Sequence, residues 1–552
     1  MMTLHKRNWL YIITLALITS GILSGSKLQD KYFKPDKSLA ILSDVLNELD
    51  AYYVDEIDSD AMIKAGIDAM LYSLDPYTTF FPEEDSESLK TFTTGEYGGI
   101  GAIIGKREEK TAVIMLYKDC PAQKGGLRVG DEISRINGED MTGRPVEDIS
   151  SLLKGTPGTS VQLSVTRYAT EKPLAFTLAR EKVILKNVPY HGIVEEGVGY
   201  IRLVSFMNHA ADEVAAALTS LEESGMEKLI LDLRGNPGGL LEEAIKVVNL
   251  FIESDRIVVS TKGRVAGSER TYTTTQRAYD PSIPIVVLID QKSSSASEIV
   301  AGVLQDYDRG VLVGKNTFGK GLVQTTRPLS YNTQLKLTVS KYYIPSGRSI
   351  QKIDHRLPDR ESTPEETRAV PKKVFTTQTG RRVYEGNGVT PDLEVDQLRW
   401  APITASLIEK GLIFDYATVF RAQEDHIVPA QDFVLSTAQY RDFVTWLADK
   451  DYTYTIEPSV DLLLKQAQEE SYTAVIREHI ALLKAHIQHY KEEDLRKFEE
   501  EIKAVLQEEI IARYYYQEGA TEAMLTYDPS VRKACVLFQD IQQYYDLLKA
   551  NE

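Results

Sequence analysis

The chain has only two cysteines in 552 residues, Cys120 and Cys535, far apart and outside any CxxC pattern. That excludes a zinc ribbon and a thioredoxin-like centre, and leaves a single bridge between the two geometrically open. Its eight histidines are scattered and none forms HExxH. His486 and His489 stand three apart on a helix-like stretch, which reads as a solvated helix face rather than a metal site. No metal, nucleotide or other cofactor is implied, and no P-loop is present to couple ATP to unfolding of a partner. There is no Gly-x-Ser-x-Gly elbow with an aspartate and a histidine in plausible order. Positive charge is the minority, with Lys+Arg 63 against Asp+Glu 81 and a net charge of −18. An acidic surface repels phosphate backbones and argues against nucleic-acid partners.

What is present is a globular composition, 43% hydrophobic and 26% charged, in a chain long enough for three or four domains. His5-Lys6-Arg7 precede an apolar run from Trp9 to Leu23, which meets Ser24-Gly25-Ser26. A charged start, an apolar centre and small residues make an export signal over 1–26; a cleaved signal and a retained anchor both fit. The rest is expected outside the cytoplasm, in the periplasm, soluble or anchored to the inner membrane.

Residues 27–90 carry helical spacing, with Leu39, Leu42, Val45, Leu46 and Leu49 recurring at three and four positions. Over 91–182 glycines cluster and short β-rich runs follow, among them 112–116 and 161–165. The pattern Pro121-Ala122, Gly126-Leu127, Gly130-Asp131, Ile133 and Asn137-Gly138 resembles a PDZ domain. In that resemblance Tyr97-Gly98-Gly99-Ile100-Gly101 takes the place of the carboxylate-binding loop. Glycines there let successive N–H groups face one anion while an extended peptide adds to a sheet edge.

Residues 183–398 alternate strands and helices, as in α/β layering with buried parallel strands. One strand ends in Arg234-Gly235-Asn236-Pro237-Gly238-Gly239. A second, 284–290, leads to Ser293-Ser294-Ser295-Ala296-Ser297-Glu298 and a helix. A serine at such a junction can project its hydroxyl near helix N–H groups that favour developing negative charge, although serines also simply cap helices. The polar stretch 352–383 reads as an exposed insertion. From 399 to 552 the chain is helical and charged, and Leu495, Phe498, Ile502 and Val505 trace one face.

Thr317-Phe318-Gly319-Lys320-Gly321-Leu322-Val323-Gln324 supplies a base for the serine. A lysine serves when burial lowers its pKa from about 10.4 toward neutrality. Gly319 and Gly321 are expected to let backbone approach the amine, and Gln324 to hold it by a hydrogen bond.

Taken together, the Ser-Ala-Ser-Glu junction and Phe-Gly-Lys-Gly resemble the carboxy-terminal processing peptidases, from Leu74-Asp75-Pro76 to Thr390-Pro391-Asp392. The resemblance implies Ser295 as nucleophile, because the family's serine precedes its lysine by 25 positions, and Lys320 as base with Gln324 beside it. It implies a supporting, structural Asp306. It also implies an oxyanion hole from the Ala296 N–H and that of Gly238 or Gly239. The expected fold is multidomain α/β: a crotonase-like protease core with an inserted PDZ domain, an N-terminal helical segment and a C-terminal all-helical domain. The expected function is ATP-independent serine endopeptidase action on proteins held by their C-termini, with homo-oligomers and membrane association left open. Two rivals are a non-catalytic peptide-binding scaffold, which would lack the serine or lysine, and a crotonase-type acyl-CoA enzyme, against which the PDZ pattern and export signal argue.

Overall fold

A computed structural model describes residues 35–83, 86–352, 373–396, 399–452, 456–469 and 473–550. The export segment and residues 353–372 of the polar insertion lie outside the described residues. None of the described helices is long and apolar enough to cross a membrane. The chain divides into two compact units, up to Phe80 and from Phe81 onward. The first holds helices α1 (Pro35–Tyr52) and α2 (Ser59–Tyr72). Asp58 caps α2 by accepting the Ala61 N–H at 2.9 Å.

The second unit begins with helix α3 (Ser86–Thr94) and strand β1 (Glu96–Gly99). A β-rich domain follows, built from β2 (Ala102–Arg107), β3 (Lys110–Leu116), β4 (Glu132–Ile136), helix α4 (Val146–Leu153), β5 (Ser160–Thr166) and β6 (Leu174–Ala179). The strands pair in the order β2-β3-β4-β5-β6, which leaves β2 on an edge. Alternate residues Val161, Leu163 and Val165 of β5 are buried and their neighbours are not, as period-2 alternation demands. Asp131, almost fully buried, is held by Arg167 at 2.7 Å.

β1 does not stay in a loop. It pairs antiparallel with β7 (Glu181–Ile184), with Tyr97 opposite Val183 and Gly99 opposite Glu181. The segment expected to bind carboxylate is therefore part strand: Tyr97, Gly98 and Gly99 tie the two ends of the domain together, and Ile100 and Gly101 turn the chain into β2. A Cβ on Gly98 would lie 2.1 Å from the Gly155 carbonyl oxygen, so glycine is needed there for close backbone approach.

The core sheet contains β8 (Tyr190–Glu195), β9 (Val198–Arg202), β10 (Lys228–Asp232), β11 (Ile285–Ile289), β12 (Val311–Gly314) and, at its end, β15 (Leu393–Glu394). β8 runs antiparallel to β9; the remaining neighbours are parallel. Parallel strands need cover on both faces. Leu229, Leu231, Ile285, Val287, Ile289 and Leu312 pack on one side against helices α5 (Ala210–Glu223), α6 (Leu241–Phe251) and α7 (Ala296–Asp306). Ile230, Val286, Leu288, Val311 and Val313 pack on the other, against Leu525, Val531, Leu537, Phe538 and Tyr544. Those residues follow or lie in the last helices, α8 (Glu499–Met524), α9 (Pro529–Gln539) and α10 (Ile541–Leu547). The tail thus completes the core. Between α7 and the tail a long antiparallel pair, β13 (Leu322–Pro328) and β14 (Gln334–Tyr343), stands beside the sheet.

The rest of the tail forms its own cluster, with Leu495, Ile502 and Leu506 against Phe420, Phe433 and Phe443, and with Phe498 and Val505 packed at its margin. Both cysteines are free; Cys535 is buried beneath the core sheet.

Glu508 of α8 lines a cavity of about 590 Å³ between tail and core. Burial, then the neighbouring Glu509, push its pKa from the ordinary 4.5 up to about 7, against the pull of Arg202. From pH 4.5 to 7 the folded chain keeps a proton that the unfolded chain has released, so raising the pH across this window lowers stability. Glu508→Gln should remove this dependence and raise stability at pH 8 by about 3 kcal/mol. Denaturant unfolding of both proteins at pH 5.5 and pH 8 checks it; parallel pH dependence in the two would contradict it.

Candidate active site

Ser295 is the residue before α7, and its backbone is strained, at φ 54° and ψ −110°. A side chain rarely adopts positive φ, and holding one there costs about 1–3 kcal/mol that the surroundings must offset. The surroundings are specific. Ser293 and Ser297 are fully buried, with their hydroxyls donated to the Leu233 and Asn236 carbonyls at 2.8 and 2.9 Å. Ser295 instead lines an open cleft of about 280 Å³ together with Ala296, Gly239, Lys320, Gln324 and Tyr342. Among the serines of this run, Ser295 is thus the one presented to a ligand.

Glu298, one turn into α7, organises this cleft from beneath. Its carboxylate is fully buried and accepts four hydrogen bonds. Oε1 takes the Thr317 hydroxyl at 2.5 Å and the Gly319 N–H at 2.7 Å. Oε2 takes the N–H groups of Ser295 and Lys320, at 2.8 and 2.9 Å. Burial raises its pKa and these four bonds lower it, leaving it above the ordinary value. One carboxylate therefore fixes the backbones of the serine and the lysine relative to each other. Tyr342 does the same from β14: its hydroxyl lies 3.1 Å from the Ser295 carbonyl and 2.9 Å from that of Lys320. With one proton it donates to one of them at a time.

The remaining predicted residues fall as follows. Gln324, on β13, donates its amide nitrogen to Thr338 at 3.2 Å, which leaves its carbonyl oxygen as the acceptor for an amine. Gly319 and Gly321 are both required by close approach of the chain. A Cβ on Gly319 would meet the Lys352 Cβ at 2.5 Å, and one on Gly321 the Gln351 nitrogen at 2.9 Å. Asp306 stands at the far end of α7, about 16 Å along the helix from Ser295. There it pairs with buried Arg348 at 2.9 Å and accepts the Ser346 N–H. Gly238 packs so closely on the serine junction that a Cβ would lie 2.9 Å from Ser295 Cβ. Its N–H is donated to Asn236 Oδ1 at 2.9 Å. The cleft is lined by Gly239, not Gly238. No histidine lines it among the described residues: His191 faces another cavity and His209 pairs with Asp212 on the surface.

Five contributors have no role legible in the sequence: Glu298 and Tyr342, already described, and Asn236, Asp232 and Asp528. Asn236, fully buried, joins the glycine turn to the serine junction through the Ser294 N–H and the Ser297 hydroxyl. Arg234 is gripped by Asp232 at 2.6 Å and by Asp528, the cap of α9, at 2.7 Å. Burial alone would raise the Asp232 pKa, but the Arg234 charge together with hydrogen bonds from Arg234 and Tyr200 outweighs it and holds the carboxyl below its ordinary value. The polar tail thus reaches the base of the glycine turn.

Residues 197–362 match Peptidase family S41, residues 116–167 match a PDZ domain, and residues 403–538 match the C-terminal helical domain of probable PDZ-proteases. The molecule is a serine-type peptidase with a PDZ domain and a helical C-terminal domain. A carboxy-terminal-processing protease of Bartonella bacilliformis is 36% identical over 321 residues, spanning 57% of this chain and 73% of the relative. A probable CtpA-like serine protease of Staphylococcus aureus is 34% identical over 359 residues, 63% of this chain and 71% of the relative. The solved photosystem II D1 C-terminal processing protease is 26% identical and covers 64% of this chain and 92% of its own, with a TM-score of 0.35. The chain belongs to the carboxy-terminal-processing protease family.

Proposed function

We propose that the protein is an exported, ATP-independent endopeptidase that takes protein substrates by their C-terminal segments and cleaves them by Ser–Lys acyl transfer. The observation that carries this is the shared cleft of Ser295 and Lys320, whose backbones are tied by Glu298 and Tyr342. Lys320 takes the Ser295 hydroxyl proton as Oγ attacks the scissile carbonyl, and the resulting ammonium returns that proton to the leaving amine. Water, deprotonated by the same amine, then releases the acyl group. Gln324 orients the amine through its carbonyl oxygen. The Gly239 and Ala296 N–H groups, both at the cleft, receive the oxyanion, since the Gly238 N–H is already donated.

In the PDZ domain the free edge of β2 beside α4 receives an extended peptide, and the turn at Ile100-Gly101 receives its terminal carboxylate. The basic and apolar run at 5–23 supports export, with the catalytic part in the periplasm, soluble or anchored to the inner membrane. Incubation of the purified chain with casein in nucleotide-free buffer, followed by fluorophosphonate labelling and mass-spectrometric mapping, tests the proposal. Cleavage and a label on Ser295 are expected. A requirement for ATP, or a label on Ser293, Ser294 or Ser297, would count against it.

A further inference from the structure

The cleft contains a second lysine with no assigned role. Lys336 lies on β14 opposite Thr326 of β13, two register positions from the Gln324–Thr338 pair. Side chains two apart on a strand point to one face, so Lys336 shares the face that carries Gln324, about 7 Å farther along. It lines the same cavity as Ser295 and Lys320.

Its surroundings are those of a cation awaiting an anion. The ammonium lies 5.3 Å from the centroid of the Phe92 ring of α3. No carboxylate pairs with it among the described residues, and burial alone pulls its pKa below the usual lysine range. A ring face attracts an ammonium but replaces only part of its lost hydration. Elsewhere the molecule supplies acidic partners freely, as Lys110, Lys182 and Lys246 each have one at 2.7 Å. At Lys336, where the approach is from the cleft, none is supplied.

We propose that Lys336 is a specificity-determining residue that pairs with a carboxylate of the bound substrate, about two residues along the chain from the one lying at Gln324. The inference rests on reading this cleft as the peptidase site. An extended substrate advances about 3.3 Å per residue, so the 7 Å offset corresponds to two residues. The carboxylate is either an Asp or Glu side chain or the substrate's own terminus; the chemistry recognised is the same.

Internally quenched peptides test it. They share one sequence and differ in a single Glu, Gln or Lys moved through the positions flanking the cleaved bond, each made with a free or an amidated end. In the wild type, kcat/KM for the best carboxylate-bearing peptide should exceed its neutral counterpart about tenfold or more, as a charge-assisted contact in a half-buried site gives. Lys336→Met should bring that ratio close to one, Lys336→Arg should retain it, and Lys336→Glu should favour the lysine peptide. A Glu-over-Gln ratio lost in Lys336→Met assigns a side chain, and an acid-over-amide ratio lost there assigns the terminus. Ratios near one in the wild type, or preserved in Lys336→Met, overturn the proposal. Ser295→Ala is run beside them: cleavage surviving in that variant would defeat the active-site reading itself, whatever the ratios do.

Discussion

Lys320→Arg is expected to lower kcat by about 10⁴-fold, as much as Ser295→Ala, while leaving the fold intact. Arginine keeps the positive charge and much of the length, but a guanidinium is not deprotonated at working pH and cannot accept the serine proton. Members of a nucleophile–base unit each remove nearly the whole rate enhancement of the unit, so the two losses should be similar and not additive. The backbone contacts of residue 320, to Glu298 through its N–H and to Tyr342 through its carbonyl, do not depend on the side chain. Thermal unfolding should therefore change little. His191→Ala and His209→Ala should keep most of the turnover, because neither side chain lines the cleft. Steady-state cleavage of a quenched peptide by the four variants decides the matter. Near-normal kcat in Lys320→Arg would remove lysine from the mechanism.

The second large effect is expected at Glu298, which touches no substrate. Glu298→Gln should lower kcat about 100-fold or more and destabilise the fold by about 2–5 kcal/mol. The carboxylate accepts four donors on two oxygens. A carboxamide offers one oxygen, and its NH₂ faces the donors left over. Two buried donors, either the Ser295 and Lys320 N–H groups or the Thr317 hydroxyl and Gly319 N–H, then lose their acceptor, at about 1–3 kcal/mol each. Whichever way the amide turns, one anchoring pair opens, so either Ser295 is released from Lys320 or the Thr317–Gly319 support is. A misplacement of 1 Å in a catalytic pair is enough for a loss of about 100-fold. Glu298→Asp, which keeps the charge but shortens the reach, should recover part of the stability and little of the activity. A fully active Glu298→Gln protein would show that the carboxylate only fills space.

Much of the arrangement was readable from the residues because it is encoded locally. The strand 284–290 is continuously apolar, so it reads as buried before its neighbours are known. The glycine-flanked lysine and the serine run are legible through their resemblance to the carboxy-terminal processing peptidases, whose spacing they share. Gly319 and Gly321 are legible as points of close backbone approach, but sequence context does not say that Lys352 and Gln351 are what approaches. β1 reads as a loop for a related cause. Its glycines permit either a nest or a strand, and pairing with β7, more than eighty residues away, decides it. Glu298 and Asn236 were hidden for the opposite reason. Their bonds join segments far apart in sequence, and a buried glutamate looks like an ordinary helix residue until its four donors are in place. Asp528 is the extreme case, reaching Arg234 across nearly three hundred positions.

The placement of the final helices also bears on how the molecule comes into being. One face of the core sheet is sealed by residues after 524, and Tyr544 exchanges hydrogen bonds with both the N–H and the carbonyl of Ile285. A growing chain therefore carries Ser295 and Lys320 long before the sheet that positions them can close. Until residues 525–547 arrive, the apolar side of β10, β11 and β12 lies open and Arg234 lacks its second carboxylate. Competence to cut is thus withheld until α9 and α10 have been made, and a polypeptide interrupted short of α9 would be an unfinished, sticky precursor rather than a loose protease.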